Sequence, residues 1–168
     1  MYKGTSASAG IGIGKAVIVE EAELVITRQA VSDGEAEIQR FKGALEQTIK
    51  DTERLAEDLA VRVGEKEAEI MQGHMMLLSD PMLTGEIENS IKNDGVNSEF
   101  AIENVCNMYA DMFASMGDEL MQQRATDMRD IKTRMQRVLM GIQSVDISSL
   151  PAGSILVAKD LTPSMTAG

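Results

Sequence analysis

The chain has 168 residues, a formal charge of −11, one cysteine, one histidine and 43% hydrophobic residues. This length suits one domain, or one domain with part of another. The acidic charge argues against nucleic-acid binding, which requires basic patches, and a lone cysteine excludes an internal disulfide. No apolar run approaches ~20 residues and no signal-peptide core opens the chain, so we expect a cytoplasmic, soluble protein.

The first segment, residues 3–19, predicts a glycine-rich turn followed by a buried strand. Glycines alternate with isoleucines between residues 10 and 14. This is not the spacing of a dinucleotide-binding fingerprint, and no helix start follows where a phosphate would need one. We therefore interpret the segment as structural.

A long helix is predicted next. Ser32 and Glu35 have the S-x-x-E spacing of a capping box, and Gly64 is placed to end the helix. Between them, an apolar stripe recurs at steps of three and four residues, which predicts one buried helical face. The stripe consists of Ile38, Phe41, Leu45, Thr48, Thr52, Leu55 and Leu59.

The segment from residue 65 to residue 91 predicts two short helices with a break between them. Met71, His74, Met75 and Leu78 share one face of the first helix. Ser79-Asp80-Pro81 then ends that helix and starts the next, because aspartate is a good N-cap and proline suits the first helical position. A lone histidine on such a face is usually a packed or surface residue. Its functional interpretation is a polar anchor in a protein interface.

Two further helices are predicted, separated by Gly117-Asp118. The first begins after Asn97 and is apolar on two neighbouring faces, so it is either buried or offers its second face to a partner. Cys106 lies on one of these faces and is interpreted as a small core residue rather than a nucleophile. The second helix ends near Gly141.

The end of the chain returns to β structure. Ser154–Lys159 reads as a buried strand, and Thr162-Pro163 as the start of a helix. Two strands alone are marginal in water, so we expect a sheet that this chain does not complete. The predicted fold is mainly α: a helical bundle (residues 23–143) inserted into an incomplete α/β domain formed by residues 1–22 and 144–168.

No catalytic or metal-binding residue is predicted from motifs. HExxH, GxSxG and Walker patterns are absent, and one histidine with one cysteine cannot form a metal cluster. The thirteen methionines are interpreted mainly as core, although methionine-rich surfaces also form adaptable binding sites.

Four separated blocks carry a family resemblance: GTSASAGIGIGKA, EKEAEIMQGHMMLLSDPML, RATDMRDIKTRM and ILVAKDLTPSMTAG. Together they resemble the N-terminal part of Enzyme I, the phosphoenolpyruvate–protein phosphotransferase of the bacterial sugar phosphotransferase system. The resemblance covers the whole chain in order. It implies a transferase family in which a histidine takes phosphate from phosphoenolpyruvate and passes it to the carrier protein HPr.

The resemblance also implies what this chain does not contain. The family's phosphorylated histidine lies in a G-G-x-T-S-H segment downstream of DLTPS, on a swivelling α/β domain, so it would lie beyond Gly168. His74 instead matches the histidine of the HPr-binding helix. The sites for Mg²⁺ and phosphoenolpyruvate belong to a C-terminal barrel of the full-length dimer. We therefore expect no catalytic residue, metal or cofactor here, and a monomer.

Matching motif positions implies a set of HPr-facing residues with an apolar centre and an acidic rim. Lys66 and Pro81-Met82 stand where relatives carry acids, so this interface would depend more on apolar contact. Arg124 has an alternative interpretation, an intrahelical pair with Asp127. The implied HPr-facing residues are Glu65, His74, Met76, Leu77, Asp80, Phe113, Met121 and Arg124.

Two other functions stay open from the sequence. One is a helical protein–protein interaction domain of another pathway. The other is a fragment of a related phosphoenolpyruvate dikinase or synthase with a similar α/β domain. The helical insert with its GHMMLLSD segment points to carrier binding and argues against the dikinase or synthase.

Overall fold

The structure is a computed structural model that describes residues 5–62, 64–143, 147 and 149–166, without the side chains of residues 65–67, 163 and 166. It is mainly helical with a small parallel sheet, as predicted. In chain order the elements are β1 (Lys15–Val19), α1 (Gly34–Arg62), α2 (Glu65–Leu78), α3 (Pro81–Asp94), α4 (Ser98–Ser115), α5 (Glu119–Met140), β2 (Ser154–Ala158) and α6 (Pro163–Thr166).

The main core lies between α1, α3, α4 and α5. Phe41, Ile87, Ile102 and Ile131 are fully buried at its centre. Burying each such side chain contributes roughly 1.5–3 kcal/mol relative to leaving it exposed. The predicted stripe of α1 faces this core, which confirms its periodicity.

Two threonines of that stripe are buried in the core. The hydroxyl of Thr48 donates to the carbonyl of Ala44 at 2.8 Å, and that of Thr52 donates to the carbonyl of Thr48 at 2.7 Å. These bonds satisfy the hydroxyls within α1, so the stripe continues through polar positions without unpaired groups.

The predicted capping box of α1 is wrong by one residue. The helix begins at Gly34, and Oδ1 of Asp33 accepts a hydrogen bond from the backbone N–H of Ala36 at 3.0 Å. Asp33 therefore caps the helix in place of Ser32, because aspartate directly precedes the first helical residue. Gly64 follows the helix as predicted, with a φ of 142°.

Asn97 stands at the N-cap position of α4 but does not cap it. Its side-chain Oδ1 accepts from the N–H of Gln29 at 2.9 Å, and its amide donates to Glu99 at 3.1 Å. The N–H of Ser98 donates instead to the Glu37 carboxylate at 2.7 Å. The residue thus joins the segment before α1 to the start of α4.

The sheet contains β1 and β2 in parallel, with Lys15 opposite Ser154 and Val19 opposite Ala158. Both strands were predicted to be buried, and this is wrong for the described part of the chain: Ile18, Ile155 and Val157 are exposed. A parallel sheet needs layers on both faces, and the described residues supply no such cover here. The predicted domain boundaries stay a prediction.

Helix α5 is anchored to the two segments that follow β1 and β2 in the chain. The buried Arg137 donates to the carbonyl of Ala22 at 3.1 Å and lies 3.1 Å from the Glu21 carboxylate. Asp130 accepts from the N–H and the hydroxyl of Ser164 at 2.8 and 2.7 Å, at the predicted start of α6. None of the described helices combines the length and apolar character that crossing a membrane requires.

Candidate functional site

The joint between α2 and α3 has a defined local geometry. At the end of α2 the N–H of Ser79 donates to the carbonyl of Met75 at 3.0 Å. Asp80 then adopts an extended conformation, and its Oδ1 accepts from the N–H of Met82 at 2.9 Å, with Pro81 at the first helical position. The predicted stop and restart at this joint is confirmed.

Helix α4 brings further side chains close to this joint. Leu77 and Phe113 pack against the main core from α2 and α4 respectively. The rings of Tyr109 and Phe113 lie 6.3 Å apart. Burial, and then the carboxylates of Glu86 and Asp80, raise the pKa of Tyr109, which reflects the proximity of α3 and α4.

The predicted HPr-facing residues differ in exposure. Met76 is 68% exposed, whereas Leu77, Phe113 and Met121 are partly buried. Asp80 and Arg124 are also partly buried. The side chain of Glu65, at the start of α2, lies outside the described residues. Apart from His74, the other residues that are predicted to face HPr are Met76, Leu77, Asp80, Phe113, Met121 and Arg124, and we call this predicted set the carrier face.

His74 does not lie on this face, and its interpretation as a surface anchor is corrected. Its side chain is 0% exposed, because the stripe that it shares with Met71 and Leu78 packs inward. Nε2 of His74 lies 3.4 Å from Oδ1 of Asp127 on α5. Among the described residues, neither ring nitrogen has a hydrogen-bond partner. A ring in this position supports the face from beneath.

Asp127 and Gly73 form part of this region, and neither was predicted as a site residue. Asp127 accepts a hydrogen bond from the Gln123 amide at 3.0 Å, and its Oδ2 lies 3.7 Å from Nη1 of Arg124. The alternative pairing of Arg124 with Asp127 is therefore present. The sequence signal for Gly73 was a glycine inside a helix, which costs about 1 kcal/mol relative to alanine and usually has a packing reason.

Further exposed apolar side chains lie on α3, α4 and α5. On α4, the face of Ile102 and Cys106 is buried, whereas the predicted stripe that begins with the buried Ala101 and Val105 becomes exposed at Met108, Met112 and Met116. Contiguous exposed apolar surface commonly marks an interaction site. The exposed side chains nearest in sequence to the joint and to the α4–α5 turn are Met82, Met112, Met116 and Leu120.

Nothing in the described chain resembles a catalytic centre. Cys106 is buried, and burial raises the pKa of its thiol to about 12, so it is protonated and inert at neutral pH. Within the described residues, no group of three or more His, Cys, Asp or Glu side chains could hold a metal ion.

Comparison with known proteins shows the family to which the chain belongs. The family described as "PEP-utilising enzyme, N-terminal" matches residues 3–124, and the chain belongs to this family. It is 39% identical over 165 residues to the phosphoenolpyruvate-protein phosphotransferases of Bacillus subtilis and of Listeria monocytogenes. Each alignment covers 98% of this chain and 29% of the relative. The chain thus spans less than a third of these relatives.

Solved structures agree with this assignment. A solution structure of Enzyme I has a TM-score of 0.87 and 38% identity, covering 99% of this chain and 68% of that one. A structure described as the N-terminal domain of Enzyme 1 - Nitrogen has a TM-score of 0.71 and 25% identity, covering 91% of this chain and 63% of that one. The resemblance to the N-terminal part of Enzyme I is confirmed.

Proposed function

We propose that the chain binds the phosphocarrier protein HPr through the carrier face, as the docking part of a phosphoenolpyruvate–protein phosphotransferase in sugar uptake. The observation that carries this proposal is the exposure of Met76 on α2, a helix that packs against α5, together with the partial burial of Leu77, Phe113 and Met121. Stable interfaces commonly combine such an apolar centre with a polar rim.

The chemistry of the face suits a carrier that must bind and leave. Methionine has several rotatable bonds and a polarizable sulfur, so Met76 can adapt to the surface that it covers. The formal charge of −11 favours a basic partner and raises its association rate more than its final affinity. Asp80 contributes a carboxylate at the edge of the apolar centre.

The remaining steps of the activity are proposed for the longer family member. We assign the phosphorylated histidine, phosphoenolpyruvate and Mg²⁺ to parts of the enzyme outside this chain, and no metal or cofactor to docking itself. The chain is proposed to act as a cytoplasmic monomer in this docking step.

An isotope-edited NMR titration with HPr tests the proposal. We expect shifts on the second half of α2, at Asp80 and from Phe113 to Arg124, whereas Met140 at the far end of α5 stays unchanged. An unrelated basic protein of similar size is the control for non-specific charge attraction. No shifts at millimolar HPr from a well-dispersed free spectrum would contradict the proposal and favour an interaction domain of another pathway.

A further inference from the structure

Arg124, a residue of the carrier face, pairs with Asp127 by charge but makes no hydrogen bond to the part of the chain that the structure describes. Its side chain is 27% exposed, and Nη1 is 3.7 Å from Oδ2 of Asp127, beyond hydrogen-bond distance. Because a guanidinium carries several N–H donors in a fixed plane, Arg124 can donate to an acceptor on a docked protein.

Gly73 leaves space for this guanidinium. An ideal Cβ built on Gly73 would lie 2.5 Å from Nη1 of Arg124 and 3.6 Å from its Cζ. No side chain can approach so closely without displacing the arginine. The same test on Gly43 in α1 and Gly85 in α3 finds no atom within 4 Å. Of these three helical glycines, Gly73 is therefore the one whose Cβ position a guanidinium approaches.

Asp127 lies beside the same guanidinium nitrogen, because its Oδ2 is 3.7 Å from Nη1 of Arg124 and 3.6 Å from the Cβ position of Gly73. It is 3% exposed, and its Oδ1 accepts from the Gln123 amide at 3.0 Å while lying 3.4 Å from Nε2 of His74. The hydrogen bond from Gln123 restricts the rotation of this buried carboxylate. Its Oδ2 consequently stays beside Nη1 of Arg124.

We infer that Gly73 and Asp127 form a seat that positions the Arg124 guanidinium to donate hydrogen bonds to a carbonyl or carboxylate oxygen of the docked protein. The inference rests on the proposed function and assigns a role to two residues within it. Gly73 and Asp127 are positioning residues, since they act through Arg124. We call this arrangement the arginine seat.

The test measures HPr affinity for Gly73→Ala by calorimetry. Alanine favours the helix, and the flexible arginine can move aside, so we expect a thermal midpoint equal to or above that of the wild type. Affinity should fall about tenfold, the equivalent of one charge-assisted hydrogen bond. Gly43→Ala, with open space around it, is the matched control and should leave affinity unchanged.

A double-mutant cycle separates positioning from a general structural effect. In an Arg124→Ala background, Gly73→Ala should cause no further loss of affinity, whereas additive losses would overturn the inference. Asp127→Asn is the second variant. It should weaken HPr binding in the wild-type chain and cause no further loss of affinity in the Arg124→Ala background. In free Gly73→Ala, the chemical shift of the Arg124 Nε–H group should move toward the value of a solvent-exposed arginine.

The outcomes distinguish the two proposals. Wild-type binding that Gly73→Ala does not change would overturn the arginine seat and leave the proposed function intact. Absence of wild-type binding would contradict the proposed function and the partner contact of Arg124. An Arg124 resonance that stays in place in Gly73→Ala would overturn the seat whether or not HPr binds.

Discussion

Nε2 of His74 lies 3.4 Å from Oδ1 of Asp127, and both side chains are buried between α2 and α5. Met76, two positions later, points about 200° away around the helix and is exposed. Helix α2 therefore has two roles, because one face fixes it to α5 while the other supplies the apolar centre of the carrier face.

We predict that His74→Ala destabilises the fold rather than acting at the surface. The substitution removes a fully buried ring and leaves a cavity beside the buried Asp127, so we expect a loss of roughly 2–4 kcal/mol. Urea unfolding followed by circular dichroism measures it. The exposed Met76→Ala is the control and should change stability by less than about 0.5 kcal/mol. An unchanged midpoint for His74→Ala would show that the ring is not buried in solution.

Met76→Ala is predicted to weaken HPr binding although it leaves the stability of the fold nearly unchanged. Truncating an exposed side chain at the centre of an interface commonly costs more than 1 kcal/mol, so Met76→Ala should weaken HPr binding about fivefold to tenfold. Met140→Ala serves as a control, since this exposed methionine lies about 30 Å along α5 from Met121. Calorimetry compares the two. Equal affinities of Met76→Ala and Met140→Ala for HPr would show that Met76 does not lie in the interface.

The sequence predicts the helix boundaries well where local chemistry decides them. Asp80-Pro81 and Gly141 occupy the positions expected of an N-cap with a helical proline and of a left-handed C-cap. Each of these signals acts within a few residues, although the same local chemistry did not decide between Ser32 and Asp33 as the cap of α1.

Periodicity placed His74 on the stripe of Met71 and Leu78, and this stripe is the buried face of α2. The expectation that His74 faces HPr came from matching motif positions, which carries no information on burial. The arginine seat was beyond sequence analysis because Gly73 and Arg124 lie in different helices. The prediction for the two strands failed for another reason. Their apolar residues predict burial, but a strand is buried only where other elements cover the sheet, and the strand sequence does not show whether they do.

Two substitutions of Asp80 separate its role as the N-cap of α3 from the effect of its negative charge on HPr binding. Asp80→Ala removes the acceptor of the Met82 N–H and should destabilise the fold by about 1 kcal/mol. Asp80→Asn keeps a good N-cap and should stay within a few tenths of a kcal/mol of the wild type. If the carboxylate attracts HPr, both variants should associate more slowly in stopped-flow at low salt. Wild-type association rates in Asp80→Asn would exclude that role.

We also predict that His74 accepts no phosphoryl group. The ring is 0% exposed, so a phosphorylated carrier cannot bring its phosphorus within reaction distance of either nitrogen. The chain would be incubated with HPr, phosphoenolpyruvate, Mg²⁺ and a full-length Enzyme I, with HPr phosphorylation as the positive control. Intact-mass spectrometry should show an unmodified chain. Phosphohistidine at His74 would contradict the assignment of the active histidine to another part of the enzyme.

Cys106 gives a test of core packing through its titration. Burial raises the pKa of the thiol to about 12, so at pH 8 the folded protein should react with iodoacetamide far more slowly than the urea-unfolded chain. The folded pKa exceeds the unfolded value near 9.0, so the contribution of this thiol to stability should decline as pH rises from about 9 toward 12. Cys106→Ala lacks this group, and its stability should fall less steeply over the same range. Rapid alkylation of the folded wild type would show that α4 opens at this position.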